Sequence, residues 1–367
     1  MRKVQRYKAL VIVITYVFVE FICYLFIKTD YVKAGLPDFH YQLTLKDYPF
    51  LVADIDTVWG TWHYRESVHR TEDCERFDYD ISSIGTRDIE RTKNSTDTNR
   101  VLVLGDSFME GYGIPIEGRI SNRLESLTHR EFLNFACSDF GTTQEWLVYE
   151  KLGKQFDHST VLLGFFPYND FTDNDTSANV NPYYKRYKPY FKGKYPDYKL
   201  IYVEDSIQKA TFNKAGFLKK ENSPRGRLVR FLRAFTCWFH IVCYIKDLYY
   251  SPKAGPVPGY YHYTSDNWEK MQFILKKIRT SAIYKQMIIV SFPTPKEIKQ
   301  FRELGPGPLS EALSAFCKEN HITYVDLLPL LAEQENAEKK FYFDCDYHLN
   351  EAGNKFAAAA LARVFRP

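Results

Sequence analysis

The chain has 367 residues, 45% of them hydrophobic, enough for a substantial core in one large or two modest domains and too apolar for a mostly disordered chain. Its 49 basic and 45 acidic residues leave a formal charge of only +4, so no global field points to nucleic acid or an acidic polymer as partner. The seven cysteines, Cys23, Cys74, Cys137, Cys237, Cys243, Cys317 and Cys345, contain no CxxC pair; a zinc or thioredoxin-type site is disfavoured, and neither metal nor cofactor is expected.

Residues 1–28 form the first segment. Ala9 to Ile27 is a run of nineteen residues whose only formal charge is Glu20, close to the ~20 a helix needs to cross a bilayer. Arg2, Lys3, Arg6 and Lys8 precede it, so the positive-inside rule puts the N-terminus in the cytoplasm and the rest outside. A cleaved signal peptide is the rival, with Val32 and Ala34 as small residues for a cleavage site, but the run exceeds the usual apolar core of such peptides. The expectation is a single-pass anchor. Glu20 is costly there; it either docks against another membrane protein or is tolerated as a protonated or snorkelling side chain.

Residues 29–99 read as a polar and aromatic N-terminal extension wrapping the main domain. Within 100–367, short β-rich runs alternate with helix-length segments, which predicts parallel strands joined by crossover helices. The strands are Val101–Leu104, Phe132–Phe135, Val161–Phe165, Met287–Phe292 and Ile322–Val325. The helices are Arg119–His129, Thr143–Lys154, Trp268–Ser281, Leu309–Asn320 and Glu351–Val364. Such doubly wound sheets place ligands at the carboxyl ends of their strands.

The alternation stops at about 172–266, too long for a plain loop, which predicts an insertion or cap. Tyr183–Tyr202 holds seven Tyr and six Lys or Arg against one Asp, fit either for stacking on sugar rings beside anionic groups or for a solvated β-rich extension. The apolar stretch Ala234–Ile245 is short for a membrane span and reads first as a core helix, then as an interfacial or lid helix.

Val101 to Gly113 (VLVLGDSFMEGYG) is an apolar strand ending in Gly105-Asp106-Ser107, a perch that exposes a serine to a base and to backbone donors. Alone the tripeptide is also ordinary turn chemistry. Near the other end, Asp346 lies two residues before His348, ahead of a helix. In a serine triad the histidine takes the serine proton while a carboxylate orients the imidazole.

These segments resemble the SGNH, or GDSL-type, hydrolase superfamily. Gly105-Asp106-Ser107-Phe108 matches its first block, Asn134 to Gln144 resembles the second, Phe165 to Asp170 the third, and Asp346-Tyr347-His348-Leu349-Asn350 with Gly353 the last. Gly85-Thr86-Arg87-Asp88 resembles a segment that often precedes the first block in bacterial members. The resemblance implies a flavodoxin-like three-layer α/β/α domain with a central parallel five-stranded sheet, here with an N-terminal transmembrane helix and an insertion.

It also implies Ser107 as nucleophile, His348 as base and Asp346 as orienter, with Asp344 in reserve because many members show a longer Asp-to-His spacing. Gly105 and Asp106 would support the nucleophile turn. The Ser107 N–H, a second-block N–H and the Asn169 amide would form the oxyanion hole. Two departures stand out. Asp139 occupies the usual oxyanion glycine position, with Gly141 two residues on, and Pro167 replaces the third-block glycine. A carboxylate aimed inward at Asp139 would oppose a developing negative charge.

The implied reaction is ester cleavage through an acyl-enzyme. The Asp-x-His spacing resembles members that handle polysaccharide O-acetyl groups, which points to an O-acetyl esterase or O-acetyltransferase acting on cell-surface glycan. A lipase or thioesterase-like esterase is the alternative, and a catalytically silent, membrane-tethered glycan-binding module is a third reading that rests on Asp139.

Overall fold

The computed structural model describes residues 2–29, 75–97, 99–174, 188–202, 223–250 and 257–365, with shorter stretches between 31 and 72. The chain divides into two compact units, residues 1–49 with 214–255 and residues 50–213 with 256–367. The first opens with α1, Arg2–Lys28, whose apolar side chains are exposed along most of its length.

The second unit is built on five strands: β1 Val101–Leu104, β2 Phe132–Asn134, β3 Thr160–Phe165, β4 Gln286–Ser291 and β5 Thr323–Asp326. They form one parallel sheet in the order β5-β4-β3-β1-β2, the flavodoxin-like arrangement. Val101, Leu102, Val103 and Leu104 are wholly buried, as are Val161, Leu162 and Leu163. Strands covered on both faces need continuous apolar runs rather than alternation, which is why these segments announce themselves in the sequence.

Around the sheet run α2 Ser107–Glu110, α3 Ile120–Thr128, α4 Thr142–Lys151 and α5 Pro167–Asp173. After the insertion, which holds α6 Pro224–Phe235 and α7 Cys237–Tyr250, come α8 Ser265–Ser281, α9 Pro295–Leu304, α10 Pro308–Glu319, α11 Leu327–Ala332 and α12 Glu351–Ala362. The sequence reading misses α9. Its start carries a full signal, a capping box in which the Thr294 hydroxyl accepts from the Glu297 N–H and the Glu297 carboxylate accepts from the Thr294 N–H, followed by Pro295 at the first helical position.

The insertion splits between the units. In the second, Pro189–Lys192 pairs antiparallel with Lys199–Tyr202; residues 183–187 of the tyrosine-rich segment lie outside the described residues. Tyr190 and Phe191 are buried, and Phe191 meets Trp146 at 5.5 Å and Phe273 at 5.0 Å between ring centroids. Part of that aromatic run therefore serves the core rather than an open surface. In the first unit, α6 Pro224–Phe235 and α7 Cys237–Tyr250 meet at a 110° bend. The expected core helix over Ala234–Ile245 is not what forms: the segment bends at Thr236, and Val242 and Ile245 are half exposed.

The extension before the sheet buttresses the domain where it is described. Trp62 stacks on Phe140 at 5.7 Å. Buried Arg87 donates to the carbonyls of Glu110 at 2.9 Å and Ile114 at 2.5 Å, while buried Asp88 pairs with Arg119 at 2.8 Å and accepts from the Asn134 N–H at 3.2 Å. The Gly85-to-Asp88 segment thus holds the turn after β1 and the end of β2 together.

Candidate active site

The sheet order reverses between β1 and β3, and the segments leaving those two strands carry Ser107 and Asn169. Ser107 is the first residue of α2, capped by Asp106, whose Oδ1 accepts from the Phe108 N–H at 2.9 Å. As a first-turn amide, the Ser107 N–H has no acceptor within its helix. The turn requires Gly105, at φ +149°: a Cβ there would sit 2.7 Å from Met109 Cγ, so a larger residue would crowd α2 against β1.

His348 arrives from the loop before α12. Its Nε2 lies 2.8 Å from Ser107 Oγ, and its Nδ1 lies 2.9 Å from Asp346 Oδ2. With the Nδ1 proton donated to the carboxylate, Nε2 is left as the acceptor for the Ser107 hydroxyl. The ring is hemmed in by Tyr112 at 4.5 Å, Tyr347 at 4.9 Å and Phe108 at 5.3 Å. Burial alone would raise Asp346, but the hydrogen bond and charge of His348, with further hydrogen bonds from Glu75 and the Tyr347 N–H, hold it below the ordinary carboxylate value. Asp344, two residues further from His348, is exposed.

The model of the GDSL-like lipase/acylhydrolase family matches residues 103–356. The chain belongs to this family. It is therefore an enzyme, a serine-type hydrolase of ester bonds. Solved GDSL proteins are similar to the chain at low identity. A GDSL-family lipolytic protein from Veillonella parvula is 14% identical, with 72% of this chain and 97% of that one covered and a TM-score of 0.39. A GDSL-like lipase from Bacteroides thetaiotaomicron is 11% identical over 75% and 91%, with a TM-score of 0.40. A two-domain esterase active on acetylated mannans is 11% identical over 73% and 48%, with a TM-score of 0.37. No curated protein matches the chain.

Seen against the family blocks, Asn134 ties the second to the first: its Nδ2 donates to the Met109 carbonyl at 2.8 Å and to Ser121 Oγ at 2.9 Å. Asp170 ties the third to the second, accepting from the Phe166 N–H at 2.7 Å and the Thr142 hydroxyl at 2.9 Å. Asn169 donates its Nδ2 to Asp106 Oδ2 at 2.9 Å. Asp106 itself is pushed up to about 6 by burial, against the lowering effect of the Phe108 and Asn169 hydrogen bonds and the charge of His348.

Asp139 has φ +67° in a turn closed by the Phe140 N–H on the Cys137 carbonyl at 3.2 Å. That is the left-handed conformation for which a glycine is the default residue and Asp or Asn an accepted substitute. Its carbonyl accepts from Lys188 Nζ at 2.6 Å, and Lys188 pairs with Asp173 at 2.8 Å. Gly141 caps α4, its N–H turned toward Gln144 Oε1 at 3.4 Å, with Asp173 so close that a Cβ would lie 2.9 Å from the Asp173 Cβ. The Gly141 amide thus faces the helix cap.

Glu75, outside every family block, is the participant the sequence did not flag. It is buried, packs against the turn at Gly113, and hydrogen-bonds Asp346, a contact that needs one proton between two carboxyls. Glu75, Asp346 and His348 offer three ligand atoms within 4.8 Å of one another. Both His348 nitrogens are, however, already engaged by Ser107 and Asp346, so the trio suits proton handling better than cation binding.

Proposed function

We propose that the chain is a membrane-anchored, extracytoplasmic serine esterase or acyltransferase that acts on O-acetyl groups of carbohydrate or cell-surface glycan, with Ser107 as nucleophile, His348 as base and Asp346 as orienter. The observation that carries this reading is the continuous chain Ser107 Oγ to His348 Nε2 at 2.8 Å and His348 Nδ1 to Asp346 Oδ2 at 2.9 Å.

In this mechanism Ser107 Oγ adds to the ester carbonyl carbon as its proton passes to His348 Nε2, and Asp346 stabilises the imidazolium. The Ser107 N–H, the second Nδ2 hydrogen of Asn169 and a backbone N–H in the Asp139 turn receive the oxyanion. Collapse of the tetrahedral adduct breaks the bond to the alcohol, which leaves with the proton from His348. Water, or a second hydroxyl in the transferase case, then attacks acyl-Ser107 with His348 again as base.

Two features support a sugar-borne substrate. The Asp-x-His spacing resembles that of polysaccharide-acetyl enzymes, and Tyr168 and Tyr347, 38% and 42% exposed, stand 5.6 Å apart beside His348, offering faces on which a sugar ring can stack. The outward topology is supported by the basic residues before α1 and by the disulfide at Cys345, one residue from Asp346, since such bonds persist in oxidising compartments.

Labelling of the full chain with a fluorophosphonate serine probe tests the nucleophile. Wild type should label and Ser107→Ala should not; equal labelling of both would end the assignment. Acetate release from acetylated glycans, with and without a sugar acceptor, then separates hydrolysis from transfer.

A further inference from the structure

We infer that the helix pair α6–α7 is a second membrane-seated element, a re-entrant elbow whose tip lies in the outer leaflet of the bilayer and is pinned there by Glu20. The inference rests on the reading of α1 as a membrane anchor and concerns the first unit alone.

The Cys237 N–H donates a hydrogen bond to Glu20 Oε2 at 2.7 Å. Cys237 is the first residue of α7, where amides lack partners within the helix and the dipole favours a negative group. Glu20 is the one formal charge in the apolar run of α1. Each feature is a liability in hydrocarbon, and each answers the other. Tyr16, one turn before Glu20, faces both that carboxylate and the Trp238 side chain. The covered side of α1 is a stripe through Glu20, Cys23 and Ile27, spaced as one helix face, and α7 packs on α1.

Depth follows from helix geometry. Glu20 precedes Lys28 by eight residues, about 12 Å along α1, within a hydrocarbon core about 30 Å thick. The elbow at Thr236 therefore sits deep in the outer leaflet. At that depth non-helical backbone is tolerated only where its polar groups are satisfied internally, and several groups of the elbow are satisfied in this way. The Thr236 N–H and Oγ1 both reach the Leu232 carbonyl, at 2.9 and 2.6 Å, and His240 Nε2 lies 2.8 Å from the Arg233 carbonyl. In water these groups would need no such arrangement.

The outer surface of the pair fits lipid. Leu228, Phe231 and Phe235 on α6 and Val242, Ile245 and Leu248 on α7 are 46–57% exposed. Arg225 and Arg227 are also exposed at the outer end of α6, with stems long enough to carry their charges toward headgroups. Neither helix, at 12 and 14 residues, is long enough to cross alone. The 110° bend turns the pair back on itself, so both helices reach the bilayer from one face. The occupant of this surface is thus acyl chain, not a second protein helix.

The test uses the full chain in phosphatidylcholine vesicles doped with a lipid bearing a diazirine on its acyl chain, with photoadducts mapped by mass spectrometry. Adducts are expected in peptides from 4–28 and from 228–249, with none at Tyr284 on the second unit. Adducts in 4–28 but not in 228–249 would overturn the elbow; adducts in neither would instead overturn the membrane anchor. Glu20→Ala should lower labelling of 234–245 at least threefold with 4–28 unchanged, while Glu20→Gln, which keeps an acceptor, should retain it. Unchanged labelling in Glu20→Ala would remove the pinning role from Glu20.

Discussion

Asn169 and Asp106 form one hydrogen-bonded unit, Nδ2 to Oδ2 at 2.9 Å, which joins the first turn of α5, after β3, to the cap of α2. Asp106 thereby fixes both the first amide turn of α2, through Phe108, and the direction of the Asn169 amide. Asn169→Ala should lower kcat on the order of 10²-fold with little change in KM, the signature of a donor used mainly in the transition state. Steady-state kinetics on a chromogenic acetyl ester would read it. A change confined to KM would place Asn169 in ground-state binding instead.

Asp346 rather than Asp344 should govern the imidazole. Asp346→Asn is expected to cost on the order of 10⁴-fold in kcat, as loss of a tautomer-fixing carboxylate does in serine triads, while Asp344→Asn should remain within about twofold, on the same triad argument. Comparable losses in both variants would reassign the orienter.

The Glu75 contact adds a pH prediction. Because Asp346 is held below its ordinary value, the stability it contributes is complete above its unfolded pKa, ~3.9, and is lost as pH falls through its lower folded pKa. Glu75→Ala removes one of the groups holding it down, so the contribution of Asp346 should be lost at higher pH than in wild type. Glu75→Gln keeps a donor and should behave closer to wild type. Acid titrations followed by circular dichroism would separate the three proteins.

Much of this is legible in the sequence itself. The sheet strands are apolar on both faces and so carry continuous runs, and Ser107 and His348 sit inside short blocks whose neighbours constrain them. What was not legible depends on residues far apart in the chain. Glu75 lies in a short polar strand without a signature and meets Asp346 only through the turn at Gly113. Glu20 was readable as a liability, but its partner is 217 residues away. Asp139 was readable as a misplaced charge; its left-handed backbone, which makes Asp an acceptable stand-in for glycine, is a conformational fact that identity alone does not carry.

Asp139→Gly should test that last point. At φ +67° glycine relieves the left-handed penalty but adds unfolded-state entropy, two effects of similar size and opposite sign. The net change in stability should fall within about 1 kcal/mol. If the carboxylate opposed the oxyanion, kcat would rise on the order of 10-fold; a side chain that points away predicts no change, which is the outcome expected here. Urea unfolding and kinetics on one preparation suffice.

Glu145 offers the sharpest stability test. It is 1% exposed on α4, and neither carboxyl oxygen has a hydrogen-bond partner among the described residues. Burial, with the nearby charges of Asp170 and Asp106, raises it well above its ordinary value, so the native state binds its proton more tightly than the unfolded chain does. In the pH window above its unfolded pKa and below its folded one, stability therefore falls as pH rises. Glu145→Met removes both the unmet hydrogen-bonding groups and the titration. It should stabilise the protein by about 1–3 kcal/mol at neutral pH and flatten the decline of stability toward alkaline pH. Glu145→Gln should flatten the decline too, without the full gain, because an amide leaves buried polar atoms unmet. Denaturant midpoints across pH 5 to 9 would measure both, and a Glu145→Met variant less stable than wild type at every pH would show that the carboxyl has a partner worth keeping.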